Sequence, residues 1–379
     1  MRTPRPARGR AGKAALGGGA LLVAALIMTG TLFLAAGTSS ARASSPGHSA
    51  AQGRPIPVLA YYYIWFNPTS WNRAKSDYPL FGRYSSDDVP VMRQQVTLAK
   101  QSGLTGFIVS WKDTPVLNRR LAALRTVAAA VGFKLGIVFE GRDFHGNKLP
   151  MKEVRRSFRY LATHYAADPV FHLFGKPLVM WSGTWVYSRN QLASVTGAYG
   201  SRLTILASEK QVADYEAVAN MFRGNSYYWS SVDPQHTPGY AKKLDEFSMA
   251  VHQRGGLWIA PAAPGFNARL VGGSRNITRR GGQTLRLEMN AAMDSSPDAI
   301  GLISWNEYSE NSEVEPSRIN GADALKVIAS IEHAKAPAIA DFNSSGPSGF
   351  HAGPSQFVLL GALVILVAGS IGVIILRRG

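Results

Sequence analysis

Between residues 54 and 337, short runs rich in β-branched and aromatic residues alternate with longer stretches of helical periodicity. The apolar runs fall at residues 57–63, 106–111, 135–140, 177–181, 203–207, 225–229, 257–260 and 300–305. Helical patterns occupy 91–102, 121–131 and 152–165 between the first four. Runs that are apolar at consecutive positions predict strands covered on both faces, which is the signature of parallel pairing. Strands separated by helices are βαβ units. Eight such strands predict an α/β chain closed into a (β/α)₈ TIM barrel, and the span matches one barrel of ~250 residues with insertions. No glycine-rich phosphate fingerprint follows the first run, which argues against a dinucleotide-binding fold.

The two ends of the chain have a different pattern. Residues 1–43 combine a basic tail with an apolar run over 19–36. This segment reads either as a signal peptide, with Ala41-Arg42-Ala43 as the cleavage site, or as an uncleaved signal anchor. Residues 44–53 form a polar linker. At the other end, 338–355 are rich in Gly, Ser and Pro and predict a flexible tether. Residues 356–376 contain no charge and have the ~20-residue length that spans ~30 Å of hydrocarbon as a helix, so they predict a transmembrane segment. Arg377 and Arg378 place residues 377–379 on the cytoplasmic side. The barrel is therefore expected on the extracytoplasmic face of a cell membrane.

Charge and cysteine content narrow the chemistry. The formal charge is +17, but Arg2, Arg5, Arg8, Arg10, Lys13 and Arg42 lie near the N-terminus and Arg377 and Arg378 close the chain. Those cations leave +9 of the +17, on arginines that are scattered rather than striped. Basic flanks beside apolar runs predict a membrane partner rather than nucleic acid. The chain has no cysteine, which excludes disulfides, thiolate metal sites and a cysteine nucleophile. Glu140, Asp143 and His145 approximate a ligand set, but no H-E-x-x-H or similar spacing occurs and no metal is expected. No G-x-S-x-G follows a strand, so a serine hydrolase is not indicated.

In such barrels the working residues lie just past the C-terminal ends of the strands. Those positions hold Tyr62 and Trp65, Trp111, Glu140, Tyr228, Arg269, Trp305 and Asn306. Flat aromatic rings suit the C–H faces of pyranoses, and charged or amide groups suit their hydroxyls, so these residues are the candidate substrate-binding set. Glu307 and Glu310 are the candidate catalytic pair. If a helical turn starts at Glu307, residues three apart share a face with Cβ atoms ~5–6 Å apart. Carboxyls ~5–5.5 Å apart characterise retaining glycosidases, and inverting pairs sit ~6.5–9.5 Å apart. Two carboxyls this close repel, so one should carry a raised pKa and act as an acid. The competing explanation is that Glu307, Glu310, Glu313 and Glu315 are acidic residues favoured by a helix N-terminus.

The segment Ile303-Ser304-Trp305-Asn306-Glu307-Tyr308-Ser309-Glu310-Asn311-Ser312-Glu313-Val314-Glu315-Pro316 resembles the S-[FW]-N-E-W-x-E-G-T-x-I-E-P signature of family 99 glycoside hydrolases, the endo-α-mannosidases and endo-α-mannanases. Residues 61–66, 106–111, 137–140, 175–177 and 260–266 extend the likeness in order along the barrel. The resemblance implies a retaining endo-glycosidase with no enzyme-bound nucleophile and no cofactor. Glu307 would help deprotonate the substrate's own 2-hydroxyl. Glu310 would protonate the leaving oxygen and then activate water. Glu140 would bind sugar hydroxyls, with Tyr62, Trp111 and Tyr228 as ring platforms. Tyr308-Ser309 and Asn311-Ser312 depart from the Trp and Gly-Thr of the pattern; they flank the acids, so the accepted sugar need not be mannose.

The expected partner is thus an oligosaccharide or polysaccharide, met at a membrane. Two other readings use the same residues. A non-catalytic glycan-binding barrel would keep the aromatics without needing both acids. A polysaccharide assembly factor would instead present an apolar patch away from the strand C-termini.

Overall fold

The computed structural model describes residues 55–72, 75–143 and 146–337. Eight parallel strands form one sheet: β1 (Val58–Tyr63), β2 (Gly106–Trp111), β3 (Lys134–Glu140), β4 (Leu178–Ser182), β5 (Thr204–Leu206), β6 (Gly224–Ser226), β7 (Leu257–Ala262) and β8 (Ala299–Leu302). Each strand pairs with the next, and β8 returns to β1 through Val58↔Ile300 and Ala60↔Leu302. The seam between β5 and β6 is closed by a parallel bridge at Ala207↔Asn225, where the Ser226 N–H donates to Ala207 O at 2.9 Å. The sheet is therefore a closed (β/α)₈ barrel.

Among the described residues, eight α-helices follow their strands in order: α1 (Val89–Gln101), α2 (Pro115–Ala130), α3 (Met151–His164), α4 (Arg189–Tyr199), α5 (Val212–Val218), α6 (Tyr240–His252), α7 (Gln283–Asp294) and α8 (Asp323–Ile331). Local chemistry sets several starts. Asp88 caps α1 and Thr114 caps α2, each with a proline in the first turn, where the missing N–H costs nothing. Ser188 and Gln191 form a capping box on α4.

The period-2 alternation of the strands divides the core into two layers. Leu59, Tyr61, Ile108, Val138, Leu178, Met180, Leu206 and Ile259 fill the barrel interior. Their sequence neighbours Ala60, Tyr62, Phe107, Val109, Trp111, Phe139, Val179 and Trp181 pack outward against the helices. The consecutive apolar runs arise from this two-sided burial.

Two strand boundaries differ from the sequence expectation. The sixth strand ends at Ser226, which leaves Tyr227, Tyr228 and Trp229 in the loop beyond it. Its first residue, Gly224, has φ 144°, and a Cβ there would lie 2.0 Å from Leu257 O; only glycine permits this approach. The eighth strand ends at Leu302 rather than at residue 305, and Ile303 begins the loop that carries the two acids. The predicted N-terminal signal or anchor segment and linker, the C-terminal tether and the apolar run over 356–376 lie outside the described residues. Among the described residues, no helix is long and apolar enough to cross a membrane.

Candidate active site

The last inward-facing positions of the strands converge at the C-terminal mouth. β1 contributes Tyr63, β2 Ser110, β3 Glu140 and β4 Ser182, and Tyr228 enters from the loop after β6. The Tyr63 and Tyr228 hydroxyls hydrogen-bond at 2.8 Å. Ser110 Oγ donates to Glu140 Oε1 at 3.1 Å. Burial raises the Glu140 carboxyl above its usual range, and Lys112, Ser110 and Ser182 partly offset that. One layer below, the Tyr61 hydroxyl crosses the interior to Ser226 Oγ at 2.8 Å.

Glu307 and Glu310 lie on the loop that leaves β8, and both are almost fully buried. The loop does not continue as a helix. It makes a wide turn in which the Ser312 N–H donates to Glu307 O at 3.2 Å, with Asn311 at φ 50°. The expectation of a helical turn at Glu307 is corrected accordingly, and so is the view that these acids decorate a helix N-terminus. Asparagine tolerates this left-handed conformation better than most residues.

The turn is held from three sides. Arg279 donates to Glu313 O at 2.7 Å, to Asn311 O at 3.0 Å and to Glu313 Oε1 at 2.6 Å. The Asn267 N–H donates to Glu310 O at 2.6 Å. Asn306 is locked to the end of β1: its Oδ1 accepts from the Tyr63 N–H at 2.8 Å and its Nδ2 donates to Tyr63 O at 3.0 Å.

Although they are three residues apart, the two acids have unlike surroundings. Burial raises the Glu307 carboxyl, but Lys75 and the Ser309 N–H oppose the shift; that N–H reaches Glu307 Oε1 at 2.8 Å. Burial raises Glu310 well above the carboxylate range, and the charge of Glu307 raises it further. Of the two, Glu310 has less support for negative charge and is the harder to ionise. Tyr63 feels both acids and Glu140, and Tyr228 feels both acids, so the five groups share one electrostatic site.

The predicted residues divide clearly. Glu307, Glu310, Glu140 and Tyr228 meet at the mouth. Trp65 is half-buried and stacks on Tyr63 with ring centroids 4.4 Å apart. Tyr62, Trp111 and Trp305 do not face the mouth, and the expected role of the first two as sugar platforms and of Trp305 as a substrate-binding residue is corrected. All three belong to the layer between barrel and helices: Tyr62 stacks on Phe107 at 4.5 Å, Trp111 on Tyr160 at 5.6 Å, and Trp305 packs on Phe107 at 5.1 Å. Asn306 has its amide committed to β1 rather than to a ligand. Arg269 is exposed on a short turn beyond β7. Sequence reasoning missed Tyr63, Ser110, Ser182 and Lys75. The alternation rule held the signal for the first three, since residues i and i+2 of a strand share a face. Among the described residues, no group of three or more His, Cys, Asp or Glu side chains could hold a metal ion; His145 lies outside them.

The model of glycosyl hydrolase family 71 matches residues 81–338, well over half of the chain. The chain belongs to glycosyl hydrolase family 71. This assignment makes the barrel that of a glycoside hydrolase, with a glycan as its substrate. The family 71 match covers the strand-eight loop and both acids, and β1 precedes it.

Solved structures share the fold. The GH99 endo-alpha-mannosidase from Bacteroides thetaiotaomicron superposes with a TM-score of 0.63 at 18% identity, covering 76% of this chain and 98% of that one. The same enzyme in complex with bis-tris-propane gives 0.61 at 19% identity, covering 76% and 98%. A glycoside hydrolase-like protein gives 0.58 at 15% identity, covering 74% and 96%. No curated protein matches the chain in sequence. The family 99 resemblance read from the motif is thus shared at the level of the barrel, while family 71 is the one whose model matches the sequence.

Proposed function

We propose that this family 71 glycoside hydrolase is a retaining, endo-acting enzyme for α-linked mannan-like or related polysaccharide, tethered on the extracytoplasmic face of a membrane. The observation that carries the catalytic part is the asymmetry of the two buried acids at the mouth. Glu310, with no cation among the causes of its shift, is suited to give up a proton. Glu307, beside Lys75 and a backbone N–H donor, is suited to accept one. In the first step the substrate's 2-hydroxyl oxygen forms a bond to the anomeric carbon, and Glu307 takes its proton. The bond to the leaving oxygen breaks as Glu310 protonates that oxygen. In the second step Glu310 takes a proton from water, the water oxygen bonds to the anomeric carbon, the bond from that carbon to O2 breaks, and Glu307 returns the proton to O2. Two inversions give net retention. Glu140, braced by Ser110, is placed for sugar hydroxyls, and Trp65 and Tyr228 supply ring faces. Endo action is supported by the named activity of the structural neighbours, and tethering by the apolar terminal runs and Arg377-Arg378.

The sugar is constrained by stereochemistry. An α-mannoside carries its 2-hydroxyl trans to the leaving group, so back-side attack is open. An α-glucoside carries it cis, so O2 cannot attack from the back side, and the same pair would have to act there by direct attack of water, with inversion, or by a carboxylate nucleophile. The test is a screen of the full chain against α-mannans and α-glucans, with product masses and NMR of the first anomer released. Glu310→Gln should lower turnover at least about 10²-fold, the usual scale of general-acid loss, while polysaccharide binding persists. An α-glucan cleaved to the inverted anomer would replace this reading, and full activity of Glu310→Gln would remove the acid assignment.

A further inference from the structure

The loop that carries both acids is laced to residues 75–80, a strap in the connection from β1 to α1. Lys75 Nζ donates to Ser309 Oγ at 2.7 Å. Ser76 Oγ hydrogen-bonds to Asn311 Oδ1. The Asp77 carboxylate accepts from the Ile319 N–H at 3.0 Å and from Asn320 Nδ2 at 2.9 Å. Backbone bonds continue the seam, from the Leu80 N–H to Pro316 O at 3.0 Å and from the Arg318 N–H to Tyr78 O at 2.9 Å.

Ser309 fills the unrestricted position between the two acids of the family 99 pattern, and Asn311 is one of the positions at which this motif departs from that pattern. Each takes its side-chain partner from the strap, Ser309 from Lys75 and Asn311 from Ser76. The departure at Asn311 therefore does not require a different sugar to explain it. Ser309 then links the strap to the chemistry, because its own N–H holds Glu307 Oε1. Glu307 faces Glu310 on its own turn, Tyr63 on β1, Tyr228 beyond β6 and Lys75 on the strap. Lys75 is the cation of this set.

We propose that Lys75 is a positioning residue of the reaction: bonded to Ser309, it keeps the Glu307 carboxyl ionised and oriented to accept a proton. The proposal rests on the reading of Glu307 as the base. A cation within a few ångströms favours the charged form of a carboxyl by about one to three pH units. Removing it disfavours the ionised form, so the Glu307 midpoint must rise. The acidic limb of the pH–rate profile must then move to higher pH.

The test is ¹³C NMR of the full chain labelled at glutamate carboxyls, with the Glu307 signal identified by its loss in Glu307→Gln. Lys75→Met should raise the Glu307 titration by at least about one pH unit, whereas Lys75→Arg should hold it near the wild-type position. The acidic limb of turnover, on whichever polymer of the mannan and glucan panel the wild type cleaves, should move with it. Should Lys75→Met fail to fold, Ser309→Ala removes the hydroxyl that anchors Lys75 and keeps the backbone N–H; a smaller shift in the same direction is expected. An unshifted titration in the folded variant overturns the role of Lys75. A shifted titration together with full turnover of Glu307→Gln removes the base assignment instead, and with it the catalytic meaning of the strap.

Discussion

Glu315 offers a stability test that inverts the usual expectation for a buried, hydrogen-bonded carboxylate. Its side chain is buried, accepts from Gln95 Nε2 at 2.6 Å and accepts from the Tyr84 hydroxyl at 3.0 Å. No cation appears among the causes of its shift, and burial lifts its pKa from 4.5 to about 8. Folding at neutral pH must therefore take up a proton that an exposed glutamate has already lost. The folded pKa lies above the unfolded one, so the native state binds more protons between about pH 4.5 and 8. Its stability falls through that window by about 1.4 kcal/mol per pH unit. Glu315→Gln cannot titrate and escapes this loss. Gln95 can still donate to the amide oxygen, but Tyr84 then faces an amide N–H, a pH-independent cost of about 1 kcal/mol. The variant should thus be slightly less stable than wild type near pH 4. It should become more stable by about 2 kcal/mol at pH 7, once the gain of about 3 kcal/mol from the missing protonation is set against that cost. Urea unfolding at pH 5, 6 and 7, followed by both fluorescence and circular dichroism, reads the difference. A variant-minus-wild-type difference that stays flat across this range would refute the buried-proton argument.

Two further outcomes follow from the site's surroundings. Arg279→Met leaves the Glu313 carboxyl, fully buried in the ion pair, without its cation; Glu313 already titrates at about 7, so the variant should lose about 3 kcal/mol at pH 8 and distinctly less at pH 5, where Glu313 is neutral, as measured by urea unfolding. Trp111→Ala should cost about 3–5 kcal/mol of stability and leave KM within about twofold, the reverse of what a sugar platform would show.

The barrel was legible because its physics is local. Eight two-sided apolar runs separated by helical stretches leave little room for another fold, and the strands lie within a few residues of the predicted positions. The site was legible in part. Glu307 and Glu310 stand out because two acids follow a strand that otherwise has none. Tyr62 and Trp111 were misplaced for one reason: in a sheet covered on both faces, aromatic residues occur on both sides, and composition does not say which side is the mouth. The alternation does. Tyr61 and Tyr63 share the inner face, which puts Tyr62 outside. Trp305 was misplaced because the eighth strand ends three residues before it. Lys75 had no comparable signal, because its meeting with Ser309 joins positions far apart in the chain. The wide turn at Glu307 was hidden as well, since its geometry depends on Arg279 and Asn267, both outside the motif.

That turn explains how two identical side chains three residues apart come to have different surroundings. In a helix, Glu307 and Glu310 would sit on one face in similar solvent, and only their mutual repulsion would separate them. In the wide turn, the chain folds the Ser309 N–H back onto Glu307, while the Glu310 backbone is fixed through its carbonyl to Asn267. One carboxyl therefore gains a donor from its own turn and a cation from the strap, and the other gains only burial and a negative neighbour. The difference is set by residues outside the pair, on the strap and beyond β7. A variant that relaxes the turn without altering either glutamate should make the two acids more alike and so blunt the division between proton donor and acceptor that we propose.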